Sequence, residues 1–217
     1  MKLIAPILAP YFLVLFPTVC LVFSTNRFIY EYWNIIYFTF VLVLTLALKR
    51  VSLQQLGFNN NGKSLGIGLL LGILPIISVP ILDSLLIKSG LSQSEFFAGA
   101  DLRVPIEMGF SKSVYANLFT TTLIPFIDQL FVTGLVVNHL LKKQHVGQAM
   151  LGGGLLYSLL HFKPSLGNLT LGIISIGLLR ATGSIVIPML VHAGFAIAEI
   201  LIVFQYPRLI SLLVFVV

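Results

Sequence analysis

The chain has 217 residues, of which 58% are hydrophobic and 9% are charged. A soluble domain carries about 25% charged residues, so this composition excludes one and predicts a polytopic protein of the lipid bilayer. The formal net charge of +6 lies on short connections, without a basic run interleaved with aromatic residues. We therefore attribute the charge to membrane topology and lipid-headgroup contact, and we expect no nucleic-acid partner.

Apolar runs of about 17–25 residues recur from one end of the chain to the other. They predict about eight approximate spans, at residues 4–23, 33–48, 65–87, 114–141, 147–162, 166–179, 184–204 and 209–217. The spans are expected to be helical, because a helix satisfies every backbone N–H and C=O internally and the runs lack the alternation of barrel strands. The predicted fold is an all-α, polytopic transmembrane helix bundle.

We divide the chain into three parts. Residues 1–113 hold N-terminal membrane helices and an extramembrane loop, residues 114–204 hold the core helices, and residues 205–217 form a C-terminal hydrophobic helix. In the first part, residues 51–62 predict a short interfacial helix and turn, and the polar interval 89–113 predicts an extracytoplasmic loop or a surface helix. One face of the third span carries small residues that allow a close helix crossing: Gly66, Gly68 and Gly72.

Basic residues predict the orientation in the membrane. The paired clusters Lys49-Arg50 and Lys142-Lys143 fall on the same side of the bilayer if the amino terminus is cytoplasmic. The opposite side carries almost as many basic residues, so this prediction depends on the paired clusters. We expect a multi-pass protein of the cell membrane, as in a prokaryotic inner membrane, with a cytoplasmic amino terminus.

Ionisable or amide side chains lie inside three of the apolar runs: Asp128, Gln129, His161 and His192. A charged aspartate at the bilayer centre costs roughly 2.5–3.5 kcal/mol, so such groups usually face one another or a water-filled cavity. Gln129 and Thr133 are four residues apart and share a helix face, as do Tyr157 and His161. The sequence therefore predicts one buried polar site.

The order and spacing of these residues resemble a known family. It is the CPBP group, the CAAX-type and bacteriocin-processing proteases also called the Abi family, which are glutamate-dependent intramembrane proteases. Its first motif is two adjacent glutamates, then three residues, an arginine and usually a glycine. Asp128, Gln129, Thr133 and Gly134 occupy these places.

The two remaining family motifs each contain a histidine. An aromatic residue four positions before a histidine is matched by Tyr157 and His161, and a histidine four before an asparagine is matched at His192 but not at Ala196. The resemblance covers roughly residues 114–204. It implies that Asp128 activates water and that the two histidines stabilise the developing oxyanion.

The departures from the family motifs weaken this chemistry. Asp128 is one methylene shorter than glutamate, and Gln129 cannot act as a base. Thr133 removes the cation, and Ala196 removes an oxyanion donor whose loss costs roughly 10²–10³-fold elsewhere. These positions, with Tyr157, are therefore vestigial or supporting, and a further supporting carboxylate is Glu199, two turns beyond His192 on the same helix face.

The favoured interpretation is a pseudoprotease, a degenerate family member that acts as a partner or scaffold for a membrane protein or membrane peptide. The alternative is an active intramembrane endopeptidase, with Asp128 as the base and His161 and His192 as oxyanion donors. A second alternative is a transporter-like subunit with broken helices, although no paired repeat is found. It is suggested by prolines in two spans: Pro6, Pro10, Pro17, Pro75 and Pro80.

Structural roles for the same residues stay open. His161 can lie at a membrane interface, His192 can make an interhelical hydrogen bond, and Asp128 can be a protonated packing residue. A zinc site from these three side chains has suitable ligand types. The sequence contains no His-Glu-x-x-His helix, however, and we expect no metal and no other cofactor.

Overall fold

The computed structural model describes residues 3–58, 62–91, 114–162 and 165–210. Regular structure in these ranges is helical, which confirms the predicted all-α membrane bundle. The helices are α1 (Ala5–Val22), α2 (Arg27–Ala47), α3 (Gly62–Lys88), α4 (Val114–Asp128, continued by the π-helix Gln129–Val137 and by Asn138–Leu140), α5 (Val146–His161), α6 (Leu166–Thr182) and α7 (Val186–Gln205). A 3₁₀ turn, Pro207–Leu209, follows α7.

The prediction of eight spans is too high. By length and composition, α1, α2, α3, α4 and α7 can each cross a membrane. Helices α5 and α6 have 16 and 17 residues, which corresponds to roughly 24 and 26 Å at 1.5 Å per residue, against a hydrocarbon core of about 30 Å. The predicted span at 209–217 lies mostly outside the described residues, so the structure supports five to seven spans.

The segment after α2 is a series of turns, so the predicted interfacial helix at 51–62 is wrong for residues 51–58. Ser52 N donates to Gln55 Oε1 at 2.9 Å and Gln55 N donates to Ser52 Oγ at 3.2 Å, as at a helix start. The chain then reverses at Gly57, whose φ is +97°. Leu56 is buried, and Gly57 O accepts from Ile185 N at 2.9 Å, so the last part of the segment packs on protein. Residues 92–113, nearly all of the predicted polar loop, lie outside the described residues.

Helices α3 and α7 cross without side chains between them. A Cβ atom added to Gly72 would lie 2.6 Å from Leu190 O, and one added to Gly194 would lie 2.0 Å from Gly72 O. Gly68 is similarly close to Leu190, whereas a Cβ at Gly66 would have nothing within 4 Å. The predicted small-residue contact is therefore formed by Gly68 and Gly72, and Gly66 takes no part in it.

Helices α5 and α6 form a second close crossing. A Cβ added to Gly154 would lie 2.7 Å from Leu169 O, and one added to Gly172 would lie 2.7 Å from Tyr157 Cβ. The absence of a side chain at Gly172 thus leaves room for Tyr157, which is 1% exposed. Close contact with α6 directs this tyrosine into the bundle.

Alternating helix directions divide the bundle into two ends. The connections 48–58, 141–145 and 183–185 form the basic end, where Asn138 Nδ2 donates to Gln55 O at 3.2 Å and Arg180 Nη2 donates to Leu141 O at 2.6 Å. The far end contains the 23–26 connection and the 3₁₀ turn, where Arg208 Nε lies 2.8 Å from Asp83 Oδ1. Both paired basic clusters lie at the basic end, and its cytoplasmic location stays a prediction.

Candidate active site

The site begins where α4 changes from an α-helix to a π-helix, directly after Asp128. π-Helical turns are rare and are often found at functional sites. A second one, Tyr11–Leu15, lies in α1. The π-helical segment keeps Gln129 and Thr133 on one face, and Thr133 Oγ1 donates to Gln129 Oε1 at 2.8 Å. Both side chains are 0% exposed, so these polar groups are satisfied within the protein, as burial requires.

His192 on α7 connects three helices. Its Nδ1 atom lies 3.3 Å from Gln129 Nε2 on α4 and 3.4 Å from the hydroxyl of Tyr157 on α5. The Gln129 amide and the Tyr157 hydroxyl are both hydrogen-bond donors, so Nδ1 is the acceptor. A neutral His192 ring then carries its proton on Nε2. The resulting chain of hydrogen bonds runs from Thr133 through Gln129 to His192, with Tyr157 as a second donor.

Asp128 and His161 form the second half of the site. Asp128 Oδ2 lies 3.2 Å from His161 Nε2, with side-chain exposures of 6% and 12%. His161 Nδ1 lies 2.8 Å from Tyr157 O, a carbonyl that can only accept, so Nδ1 carries a hydrogen. Nε2 of a neutral ring would then present a lone pair to the carboxylate. The 3.2 Å contact is an ion pair only if the ring is also protonated at Nε2.

Tyr157 links the two halves. Its ring stacks on the His161 ring with centroids 4.5 Å apart, and its centroid lies 6.2 Å from that of His192. The structure thus brings together six of the predicted residues: Asp128, Gln129, Thr133, Tyr157, His161 and His192. Their catalytic or supporting roles stay predictions.

The other two predicted positions lie further along α7. Ala196, one turn beyond His192, is 8% exposed and offers no polar side-chain atom. Glu199 is half-buried another turn on, towards the far end. The Ala196 side chain therefore adds no hydrogen bond to the six-residue cluster, and the role predicted for Glu199 stays a prediction.

An aromatic shell, which the sequence analysis missed, supports the His161 side of the site. Tyr11 is 0% exposed, and its hydroxyl donates to the carbonyl of Leu160, the residue before His161. The Tyr11 ring stacks on Trp33 with centroids 4.9 Å apart. Phe162, with φ +51°, stacks on Phe16 at 3.6 Å. These contacts come from α1 and α2, and the only local signal in the sequence was their high aromatic content.

The cluster is closed towards the basic end and more open towards the far end. The π-helical residues 131–137 are all buried, and Leu56 O lies 2.9 Å from where a Cβ of Gly134 would be. His161, the last residue of α5, is the most exposed member of the Asp128–His161 pair. The His161 side is therefore the more exposed side of the cluster.

Within the described ranges, no three histidine, cysteine, aspartate or glutamate side chains are grouped so that they could hold a metal ion. The polar side chains contact one another instead. What the cluster offers chemically is one carboxylate–imidazole pair and a neutral hydrogen-bond chain.

Residues 110–198 match the family model described as type II CAAX prenyl endopeptidase Rce1-like. The match spans α4 to most of α7 and confirms the resemblance drawn from Asp128, Tyr157, His161 and His192. The protein is thus similar to CAAX proteases over the helices that build the site. Neither the search of curated proteins nor the search of solved structures found a match.

Proposed function

We propose that this CAAX-protease-like membrane protein is a pseudoprotease, which acts as a non-catalytic partner or scaffold for a membrane protein or peptide. The observation that carries the proposal is the bonding of Gln129. Its Oε1 atom accepts from Thr133 at 2.8 Å and its Nε2 atom lies 3.3 Å from His192. The residues that replace a glutamate and an arginine thus complete a neutral network of their own, and no charge is left unpaired.

Amide hydrolysis needs a general base and donors that stabilise an oxyanion. The carboxylate available in the cluster is that of Asp128, because the adjacent Gln129 is an amide and cannot act as a base. His192 is held as an acceptor through Nδ1, and Ala196 offers no donor. Both halves of the chemistry are therefore weakened, and the losses are not expected to multiply independently, because these groups would act as one unit.

One observation favours the alternative, an active endopeptidase. Asp128 Oδ1 is buried and has no hydrogen-bond partner among the described residues. A carboxylate oxygen in this state, beside an imidazole at 3.2 Å, has the arrangement of a base that could take a proton from an attacking water. The transporter-like alternative needs broken helices in both halves of the chain. Helix α3 continues through Pro75 and Pro80 as one helix, whereas α1 has a π-helical turn at Tyr11–Leu15, directly after Pro10, so one of the two proline-containing spans is irregular.

A cleavage assay separates the two proposals. The purified full-length chain, in lipid nanodiscs, is incubated with a prenylated CAAX peptide and with unprenylated membrane peptides, and products are identified by mass spectrometry. We expect wild type to give no more product than Asp128→Ala, and Asp128→Ala to retain partner binding. Cleavage by wild type that is lost in Asp128→Ala but kept in His145→Ala, a histidine exposed at the basic end, would refute the pseudoprotease.

A restoration experiment makes the same test in the opposite direction. The variant combining Asp128→Glu, Gln129→Glu, Thr133→Arg and Ala196→Asn rebuilds the family's polar set. A pseudoprotease is expected to gain peptidase activity from these changes. An enzyme adapted to its present residues is expected to gain little or to lose activity.

A further inference from the structure

The charges of this protein are separated between the two ends of the bundle. Six described basic side chains lie at the basic end: Lys49, Arg50, Lys63, Lys142, Lys143 and Arg180. None of the four described acidic residues lies there. Glu31 is near the start of α2, Asp83 and Glu199 are near the ends of α3 and α7, and Asp128 is midway along α4.

At the basic end, a groove lies between the last turn of α2 and the turns that follow it. It has a volume of about 510 Å³ and is lined by Leu46, Lys49, Val51, Ser52 and Leu53. Three of these residues are apolar, Lys49 and Ser52 are polar, and Arg50 follows Lys49 in the chain. Leu53 is 55% exposed, and Leu48, just before the groove, is 59% exposed.

The backbone fixes this combination of charge and apolar surface. Lys49 has φ +51°, an uncommon conformation for a residue with a side chain. Lys49 N donates to Leu46 O at 3.0 Å and Arg50 N donates to Thr45 O at 2.9 Å, so both cations follow directly on a membrane helix. Thr45 is 6% exposed, which anchors the turn in the bundle. The turn therefore holds both basic residues directly beyond the end of an apolar helix.

We propose that this 46–53 groove binds the headgroup of an anionic phospholipid. Lys49 and Arg50 contact the phosphate, the Ser52 hydroxyl faces the polar part of the headgroup, and one acyl chain begins along Leu46 and Leu53. Charge complementarity favours this ligand, because no described acidic residue lies at the basic end to compete for the cations. The exposed leucines favour a lipid over a soluble phosphate, since a free phosphate needs no apolar wall. The site lies apart from the Asp128–His161 pair and does not depend on the proposed function.

Thermal unfolding of the full-length chain in a neutral detergent tests the proposal. Phosphatidylglycerol is expected to raise Tm in a saturable way, whereas phosphatidylcholine with the same acyl chains and inorganic phosphate are expected to leave it unchanged. Each basic residue at a membrane surface contributes roughly fivefold to anionic-lipid binding. Lys49→Gln combined with Arg50→Gln should therefore weaken phosphatidylglycerol binding about 30-fold.

Matched variants separate a specific groove from a diffuse surface potential. Lys142→Gln combined with Lys143→Gln removes the same charge from the same end, outside the groove. Because neither lysine contacts a lipid bound in the groove, this variant is expected to weaken binding clearly less than the groove variant does. Leu53→Glu, at an exposed wall position, should abolish the Tm increase, and Lys49→Arg with Arg50→Lys should retain it. Equal losses in the two glutamine double variants, an equal Tm increase with inorganic phosphate, or no increase with phosphatidylglycerol would each overturn the proposal.

Discussion

Gln129 and Thr133 lie where the CAAX-protease motif has a glutamate and an arginine. The hydrogen bond between their side chains couples the two positions. Gln129→Glu alone should place an unpaired carboxylate at a position with 0% exposure. A buried charge that is left without a partner typically costs about 3–5 kcal/mol. We expect Gln129→Glu and Thr133→Arg each to lower Tm strongly, and the double variant to lower it by clearly less than the sum. Additive losses in a double-mutant cycle would contradict a direct coupling.

The hydroxyl of Tyr157 provides a milder test at the same scale. Tyr157→Phe removes one donor to His192 but keeps the ring that stacks on His161. Because Gln129 still faces Nδ1, we expect a loss of only about 0.5–1.5 kcal/mol in unfolding free energy. Tyr157→Leu, which also removes the stacking, should cost more. If the two variants lose equal stability, the ring is not what joins the two halves of the cluster.

The polar residues of the site could be predicted from the sequence because each of them interrupts an apolar run, where a polar side chain stands out. The aromatic shell could not be predicted in this way. Tyr11 and Trp33 lie far from His161 in the chain, and an aromatic residue in a membrane helix fits equally well in the core or at the interface. The family motifs also give the position of His161 in the chain, but they do not show that Tyr11 of α1 bonds the residue before it.

At the scale of elements, the glycines of α3 give a matched pair of substitutions. Gly72→Ala places a methyl group 2.6 Å from Leu190 O, whereas Gly66→Ala places one in open space on the same helix. Overpacking typically costs about 1–3 kcal/mol, while an exposed Gly→Ala change in a helix gains up to about 1 kcal/mol. We therefore expect Gly72→Ala to lower Tm and Gly66→Ala to leave it equal or higher. The reverse order would contradict the α3–α7 crossing.

Most helix positions were predictable to within a few residues because they follow from hydropathy, as for α3, predicted at 65–87 and found at Gly62–Lys88. The exception is α2, predicted to begin at residue 33 and found to begin at Arg27, because its first turns carry polar and aromatic residues. The structure of the segment after α2 was not predictable, because Ser52 and Gln55 make the reciprocal bonds of a helix start. Only tertiary contact decides that the chain turns at Gly57 and bonds Ile185. Local signals identify the first turn but do not show what the next residues will pack against.

At the scale of the whole molecule, residues at the two ends of the bundle are expected to be labelled from opposite sides of the membrane. Gln54 and Gln144 are exposed at the basic end, and Ser89 is exposed at the opposite end. Each of the three is replaced by cysteine in a Cys20→Ser background. The basic end is predicted to face the cytoplasm. An impermeant thiol reagent added outside intact cells should therefore label Ser89→Cys, whereas Gln54→Cys and Gln144→Cys should react only after permeabilisation. Labelling of the two glutamine positions from opposite sides would contradict the arrangement of helices.

The short hairpin of α5 and α6 gives the bundle two hydrophobic thicknesses. Phe162, just after α5, stacks on Phe16, which is six residues before the end of α1, a depth of roughly 9 Å at 1.5 Å per residue. Helix α3, with 27 residues, extends roughly 40 Å. We therefore expect the bilayer to thin beside α5 and α6 and α3 to tilt, since each ångström of mismatch costs a fraction of a kcal/mol. The expected deformation is greatest next to His161, where a membrane peptide approaching the polar cluster would cross the least hydrocarbon.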